Sequence, residues 1–297
     1  MNEHFFDIID TEEKAYFLGF IYGDGYNCES KKCIKIRLHN RDEELLLKFI
    51  TVLYPNNDKC LYYYQKNKET YCELVIESKH MSQVLKEYGC IQNKSKNIYY
   101  PNCIPENLTN HFIRGVFDAD GTISYFRLKS GKEKGTLKAC FSIIGYIKFI
   151  EQIQEKMILN IDIKKNKLIK SKAKDIYSLM YSGIKQTIKI MDWIYKDSTI
   201  FLERKHKKYL ELKEYLLSTK SNIKPDIFCH ICNCNLKNRK TYEHDEKVYC
   251  YKCFSSFNIN REKIRKRKNI KDYNVEYNRY NNYLYIQRYN LLYFFFF

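Results

Sequence analysis

The stretch Ala15-Tyr-Phe-Leu-Gly-Phe-Ile-Tyr-Gly-Asp-Gly-Tyr26 decides how the chain is read, because it returns in varied form as His111-Phe-Ile-Arg-Gly-Val-Phe-Asp-Ala-Asp-Gly-Thr122. Both are short apolar runs with small residues four apart: Gly19 and Gly23 in the first, Gly115 and Ala119 in the second. On a helix this spacing makes a flat strip along one face, where two helices can meet backbone to backbone. Each run ends in Asp-Gly, so Asp24 and Asp120 fall at helix C-termini, with Gly25 and Gly121 expected in the left-handed capping position. A carboxylate there opposes the helix dipole and sits among unpaired carbonyl oxygens. That placement costs energy unless a cation is bound.

The two stretches closely resemble the LAGLIDADG motif of homing endonucleases. Gly19, Gly23, Asp24 and Gly25 match the first copy; Gly115, Asp118, Ala119, Asp120 and Gly121 match the second. A single Asp-Gly after an apolar helix is an ordinary helix stop. Two copies, each opening a similar run of elements, make a strong signal.

The 297 residues, 44% of them apolar, are enough for one large pseudo-symmetric unit or two domains. A net charge of +17 favours a polyanionic partner. The abundance of Lys, Asn, Ile and Tyr follows from AT-rich coding, so the tyrosines alone say little about nucleic acid. The start, Met1-Asn-Glu-His-Phe-Phe-Asp7, lacks the pattern of a signal peptide, and no apolar run reaches the roughly 18 residues of a membrane span. Of twelve cysteines, seven are scattered and five cluster at metal-ligand spacing, which points to a reducing intracellular compartment.

After the first motif, Cys33-Ile-Lys-Ile-Arg-Leu-His39 alternates, with Ile34, Ile36 and Leu38 inward and Lys35, Arg37 and His39 outward. A half-buried strand with a basic open face suits DNA. A helix over 42–54, a hairpin of 60–65 and 70–76 around Lys66-Asn-Lys68-Glu, and a helix over 80–88 follow. The second motif opens the same order: strands over 123–128 and 136–144, including Lys138, a helix over 147–157, strands over 162–170 and 175–181, and a helix over 184–195. A basic helix then runs to Leu217. The expected fold is α+β, a pseudo-twofold pair of αββαββα halves (1–108 and 109–218) with central motif helices. Two antiparallel sheets would form a saddle, the shape the resemblance implies.

That resemblance also implies a monomeric, site-specific DNA endonuclease making a double-strand break in a long duplex site, as in intron homing. Hydrolysis would use Mg²⁺ or Mn²⁺ held by Asp24 and Asp120, with the carbonyls of Gly23 and Ala119 as further ligands. Tyr22 stands where the second motif has Asp118, which assigns Asp118 a structural role. By alignment, Lys94 and Lys205 match the family's lysines and Asn40 its water-positioning residue, opposite Gly145 in the other half. Lys35, Arg37, His39, Lys66, Lys68 and Lys138 are the expected DNA contacts. The rival reading is a binding protein on the same scaffold, an intron RNA maturase or a transcription regulator. Retention of both acids favours the enzyme, and the absence of a terminal His-Asn junction speaks against an intein.

Near the C-terminus, Cys229-His-Ile-Cys232 and Cys250-Tyr-Lys-Cys253 form two Cys-x-x-Cys knuckles at the spacing of a tetrahedral Zn²⁺ site. Four cysteines fill the coordination sphere, so zinc in this module (225–257) would be structural. Cys234, His230 and His244 fit less well as ligands. The remaining tail, 258–297, begins with the basic block Arg261–Lys268 and ends in low-complexity sequence.

Overall fold

The computed structural model describes residues 1–56, 59, 61–91, 97–130, 135–221, 228–236, 240–244 and 247–256. Contacts divide the chain into two compact units, Met1–Ile223 and Lys224–Phe297. The tail 258–297 lies outside the described residues.

In the first unit one element order occurs twice. The first pass gives α1 (Glu12–Asp24), β1 (Gly25–Cys28), β2 (Cys33–His39), α2 (Glu43–Leu53), β3 (Tyr62–Lys66), β4 (Glu69–Glu77) and α3 (Lys79–Glu87). The second gives α4 (Thr109–Asp120), β5 (Gly121–Arg127), β6 (Leu137–Tyr146), α5 (Ile147–Asn160), β7 (Ile169–Lys170), β8 (Ile176–Ser182) and α6 (Ile184–Ile194), followed by α7 (Glu203–Ser221). Each pass builds a four-stranded antiparallel sheet, in the orders β1-β2-β4-β3 and β5-β6-β8-β7. The fold is α+β, as the alternation and repeat indicate.

α1 starts at Thr11, whose side chain accepts from the Lys14 amide, and places Glu12 and Glu13 in its first turn. It is buried from Ala15 to Tyr22, and α4 from Thr109 to Asp118. Helices with so little polar surface belong at the centre of a unit. The small residues explain how they meet. A Cβ on Gly19 would lie 2.0 Å from the Phe112 carbonyl oxygen, and one on Gly115 would lie 2.0 Å from that of Tyr16. Both halves share this seam, which is why they form one unit.

The sheets pack their inward residues on the helices. Ile34, Ile36 and Leu38 of β2 point in with Cys72, Leu74 and Ile76 of β4, while Lys35, Arg37 and His39 alternate outward. In the second sheet Ala139, Phe141 and Ile143 of β6 take that role with Leu179 and Tyr181 of β8. α2 buries Leu45, Leu46, Phe49, Ile50 and Leu53, and Phe49 stacks on Phe17 of α1 at 3.9 Å.

Three sequence expectations need correction. Gly25 and Gly121 are extended, with φ of −78° and −95°, because each helix runs directly into its strand. Glycine is required there for space: a Cβ would lie 2.7 Å from the Ile21 carbonyl oxygen at Gly25 and 2.5 Å from that of Phe117 at Gly121. β7 is only two residues long. Side chains hold the segment before it, with Tyr181 Oη donating to Lys164 O at 3.1 Å and Asn166 Nδ2 to Met180 O at 2.8 Å. Finally, Gly25 pairs with Ile36 and Gly121 with Ile143, so the counterpart of Gly145 is Leu38 and that of Asn40 is Ile147.

The second unit contains a two-stranded hairpin, β9 (Tyr242–His244) and β10 (Lys247–Tyr249), then α8 (Tyr251–Ser256). Leu236, Tyr249 and Phe254 form its small core with Cys229.

Candidate metal centres and nucleic-acid face

Asp24 and Asp120 are the last residues of α1 and α4, and both are exposed. The seam brings the helix ends together. A Cβ on Gly23 would lie 2.3 Å from Ala119 Cβ and 3.0 Å from Asp120 Oδ2, so the second carboxylate lies over the last turn of the first helix. Two carboxylates and the C-terminal carbonyls of two helices thus converge as hard oxygen donors, a set suited to Mg²⁺ or Mn²⁺.

Beneath them lies a buried polar network that sequence reasoning only touched. Asp118 is 1% exposed and accepts from Tyr16 Oη and the Leu202 amide, both at 2.8 Å. Burial outweighs the pull of Lys205 and these bonds, and pushes its carboxyl up to about 6. Lys205, 4% exposed, donates to the carbonyls of Phe117 (2.6 Å), Asp118 (2.8 Å) and Gly121 (2.7 Å). Its three protons are therefore spent on the C-terminus of α4. Burial draws its ammonium down to about 8, against the attraction of Asp118, Asp24 and Asp120. The structure thus places Lys205 beside both carboxylates but turned toward backbone. Lys94 lies outside the described residues.

Asn40 is half-buried at the end of β2, and its Oδ1 is buried without a hydrogen-bond partner among the described residues. Arg114 escaped the sequence reading altogether. It is fully buried and donates to Glu12 Oε1 at 2.5 Å and to the carbonyls of Ile194 and Ile200, both at 2.9 Å. Glu12 also accepts from the Thr199 amide at 2.7 Å. An arginine inside an otherwise apolar helical run was the available signal.

On the first sheet, Lys35, Arg37 and His39 share the open face with Tyr62, Tyr64, Lys66 and Tyr71. Glu69, Glu73 and Glu77 stand there too, and Arg37 Nη2 bonds Glu73 Oε1 at 2.9 Å while its guanidinium lies 5.0 Å from the Tyr64 ring centre. The face is therefore charged and aromatic, where the strand alone had read as basic. Lys68 is exposed in the two-residue turn Asn67–Lys68, both with positive φ. Lys138 is half-buried on β6, opposite Phe126.

In the second unit, Cys229, Cys232, Cys250 and Cys253 bring their sulfurs within 4.8 Å of one another. Cys229 and Cys232 lie on a turn where Asn233 N donates to Cys229 O at 2.9 Å, and Cys250 and Cys253 at the start of α8. Cys253 N donates to Cys250 Sγ at 3.4 Å. Burial disfavours the Cys229 thiolate, yet amides of Cys232, Cys250 and Ile231 outweigh it and hold this thiol below its usual range. Four thiols so arranged fit a tetrahedral metal. Cys234 and His230 stand outside the set. No helix among the described residues is long and apolar enough to cross a membrane.

No family model and no curated protein matches the chain. Among solved structures, the LAGLIDADG meganuclease I-AabMI bound to uncleaved DNA is 13% identical, with a TM-score of 0.47 over 69% of this chain and 91% of its own. The LAGLIDADG homing endonuclease I-SmaMI bound to cleaved DNA is 11% identical, with a TM-score of 0.49 over 73% and 93%. The LAGLIDADG homing endonuclease I-LtrWI bound to target DNA is 12% identical, with a TM-score of 0.48 over 74% and 92%. The structures this chain resembles are thus LAGLIDADG endonucleases.

Proposed function

We propose that the chain is a site-specific DNA endonuclease that hydrolyses phosphodiester bonds with divalent metal held between Asp24 and Asp120. The observation carrying this reading is the meeting of two acid-tipped helix ends, with Asp120 Oδ2 packed over Gly23. Repulsion between the carboxylates and the two helix dipoles disfavours that meeting without a cation. Asp24, Asp120 and the carbonyls of Gly23 and Ala119 would hold the ion. When bound, it would polarise a phosphate oxygen and lower the pKa of a water. Lys205 positions Asp120 by fixing the final turn of α4. The open faces of the sheets supply the duplex contacts, with Lys35, Arg37, His39, Lys66, Lys68 and Lys138 as candidates, and Asn40 and Lys94 are the catalytic helpers the alignment assigns. The four-cysteine module holds structural zinc, and metal analysis is expected to find one ion in this module.

One observation favours a second reading, a catalytically weak DNA- or RNA-binding protein: Lys205 donates inward to three carbonyls. Cleavage of a randomised duplex library with Mg²⁺ separates the two. Wild type is expected to cut, and Asp24→Asn and Asp120→Asn each to lose at least about 100-fold in double-strand cleavage, the scale of a removed charge-stabilising group. An uncut library alongside tight RNA binding would establish the second reading instead.

A further inference from the structure

Outside both motifs, three potential metal ligands meet on the surface of the first unit. Asp7 presents one carboxylate oxygen to each of two histidines: Oδ2 lies 2.7 Å from His4 Nδ1, and Oδ1 lies 2.6 Å from His80 Nε2. The imidazole centroids are 4.5 Å apart, and one ligand atom from each residue lies within 4.8 Å of the others.

Packing on both sides holds this cluster in place. Phe5 and Phe6, between His4 and Asp7, are buried in the core, and the Asn2 amide donates to Leu53 O at 2.6 Å. Tyr88 Oη donates to Asp7 O at 3.0 Å, fixing the backbone of the central ligand. His80 stands in the first turn of α3, whose N-cap Ser78 accepts from the Met81 amide at 3.1 Å and donates to Glu3 Oε2 at 3.3 Å. Side-chain exposures of 66%, 35% and 39% for His4, Asp7 and His80 leave room for water to complete a coordination sphere.

We propose that His4, Asp7 and His80 form a binding site for a transition-metal ion of the Zn²⁺ class, separate from the four-cysteine module and the aspartates. Two imidazole nitrogens and one carboxylate oxygen favour Zn²⁺, Ni²⁺ or Cu²⁺ over Mg²⁺, which prefers oxygen ligands alone. Binding replaces the two imidazole–carboxylate hydrogen bonds with metal bonds. A neutral histidine, whose ring proton points at the carboxylate, shifts that proton to its other ring nitrogen, and a charged one releases it. The ion thereby clips the N-terminal segment to α3.

Zinc titration of the full chain against a chromophoric chelator tests the site. The wild type is expected to take up one equivalent more than Asp7→Asn or His4→Gln, or to bind that equivalent at least about tenfold more tightly. Zinc should raise the thermal midpoint of wild type more than that of either variant. His4 is mostly exposed, so its substitution leaves the fold intact and keeps the comparison valid. Identical zinc uptake and identical thermal response in wild type and both variants would overturn the proposal. Retention of the extra equivalent in a Cys229→Ser, Cys232→Ser variant would separate it from the cysteine module.

Discussion

The two central helices share one backbone contact and have opposite interiors. Where α1 has Ala15, Leu18 and Tyr22, α4 has His111, Arg114 and Asp118 at the matching motif positions. On α1 the only polar tip of the three is the Tyr22 hydroxyl, which donates to Tyr88 O. On α4 the polar groups bond both α1 and one outer segment: Arg114 donates to Glu12 and to the carbonyls of Ile194 and Ile200, and Asp118 accepts from Tyr16 and from the Leu202 amide. That segment leads into α7 and Lys205. The repeat is therefore conserved in how backbones meet, while the second helix also anchors the element that caps it. Symmetry lives in the seam; asymmetry serves the extra helix.

Filling the seam should produce the largest effect, and equally from either side. In Gly19→Ala or Gly115→Ala the new methyl would meet a carbonyl oxygen of the facing helix at 2.0 Å. Backbone cannot rotate aside as a side chain can, so the helices must separate along a buried interface. Each variant should lose at least about 3 kcal/mol in chemical denaturation. A large loss from only one of the two would show that the helices can slide past each other and that the seam is less symmetric than it looks.

Breaking the polar lock comes next, and Leu18 at the matching position of α1 has no such lock to break. Arg114→Met keeps the length of the side chain but leaves the half-buried Glu12 carboxylate without its cation. A cost of about 3–5 kcal/mol is expected, against less than about 1.5 kcal/mol for Leu18→Met at the equivalent place. Urea unfolding of both variants makes the comparison. Equal losses would mean that Arg114 acts as packing volume alone.

Acid provides a third contrast. Burial, followed by the charge of Arg114, draws the His111 imidazole down to about 4 from its ordinary 6.5. Between these pH values the unfolded chain binds the proton and the folded chain does not. The stabilisation is therefore fully present above pH 6.5 and is lost as pH falls to 4, by up to about 3 kcal/mol. His111→Gln should flatten that part of the stability–pH curve, while Ala15 at the matching position of α1 contributes nothing to it. An unchanged slope would place the acid sensitivity elsewhere.

These contrasts mark what the sequence could reveal. The paired Gly-x-x-x-small runs were legible because close helix approach admits no other residue type, and period-two alternation gave the buried side of β2. Asp24 and Asp120 were legible from their place at helix ends. Arg114 and Glu12 were not, since their partnership joins residues far apart and depends on the course of 194–202. Glu73 was missed for a related reason: a strand read alone shows its own alternation but not the charge its neighbour sets opposite. Lys205 was found by alignment, but only folding shows that its protons point to carbonyls. The His4–Asp7–His80 cluster has no spacing signature, because a helix brings its third member from another part of the chain.

The smallest effect tests the difference between the two sheet faces. The first mixes bases, tyrosines and the acids Glu69, Glu73 and Glu77, whereas the second sets Thr122, Ser124, Ser142, Ser178 and Ser182 beside the exposed apolar Phe126, Ile144 and Met180, with Lys138 as a cation among them. On the first, Glu73 would compete with a bound phosphate for Arg37, whose side chain is 58% exposed. Glu73→Gln should change stability by less than about 1 kcal/mol, as expected for an exposed pair. It should tighten duplex binding several-fold and steepen the dependence of log K on log salt by up to about 0.9, the contribution of one additional phosphate contact. Lys138→Ala should make the slope shallower by a similar amount if the second face also meets the backbone. A filter-binding series across salt concentrations reads both variants. Were Glu73→Gln to leave affinity and slope unchanged, the first face would not lie on DNA.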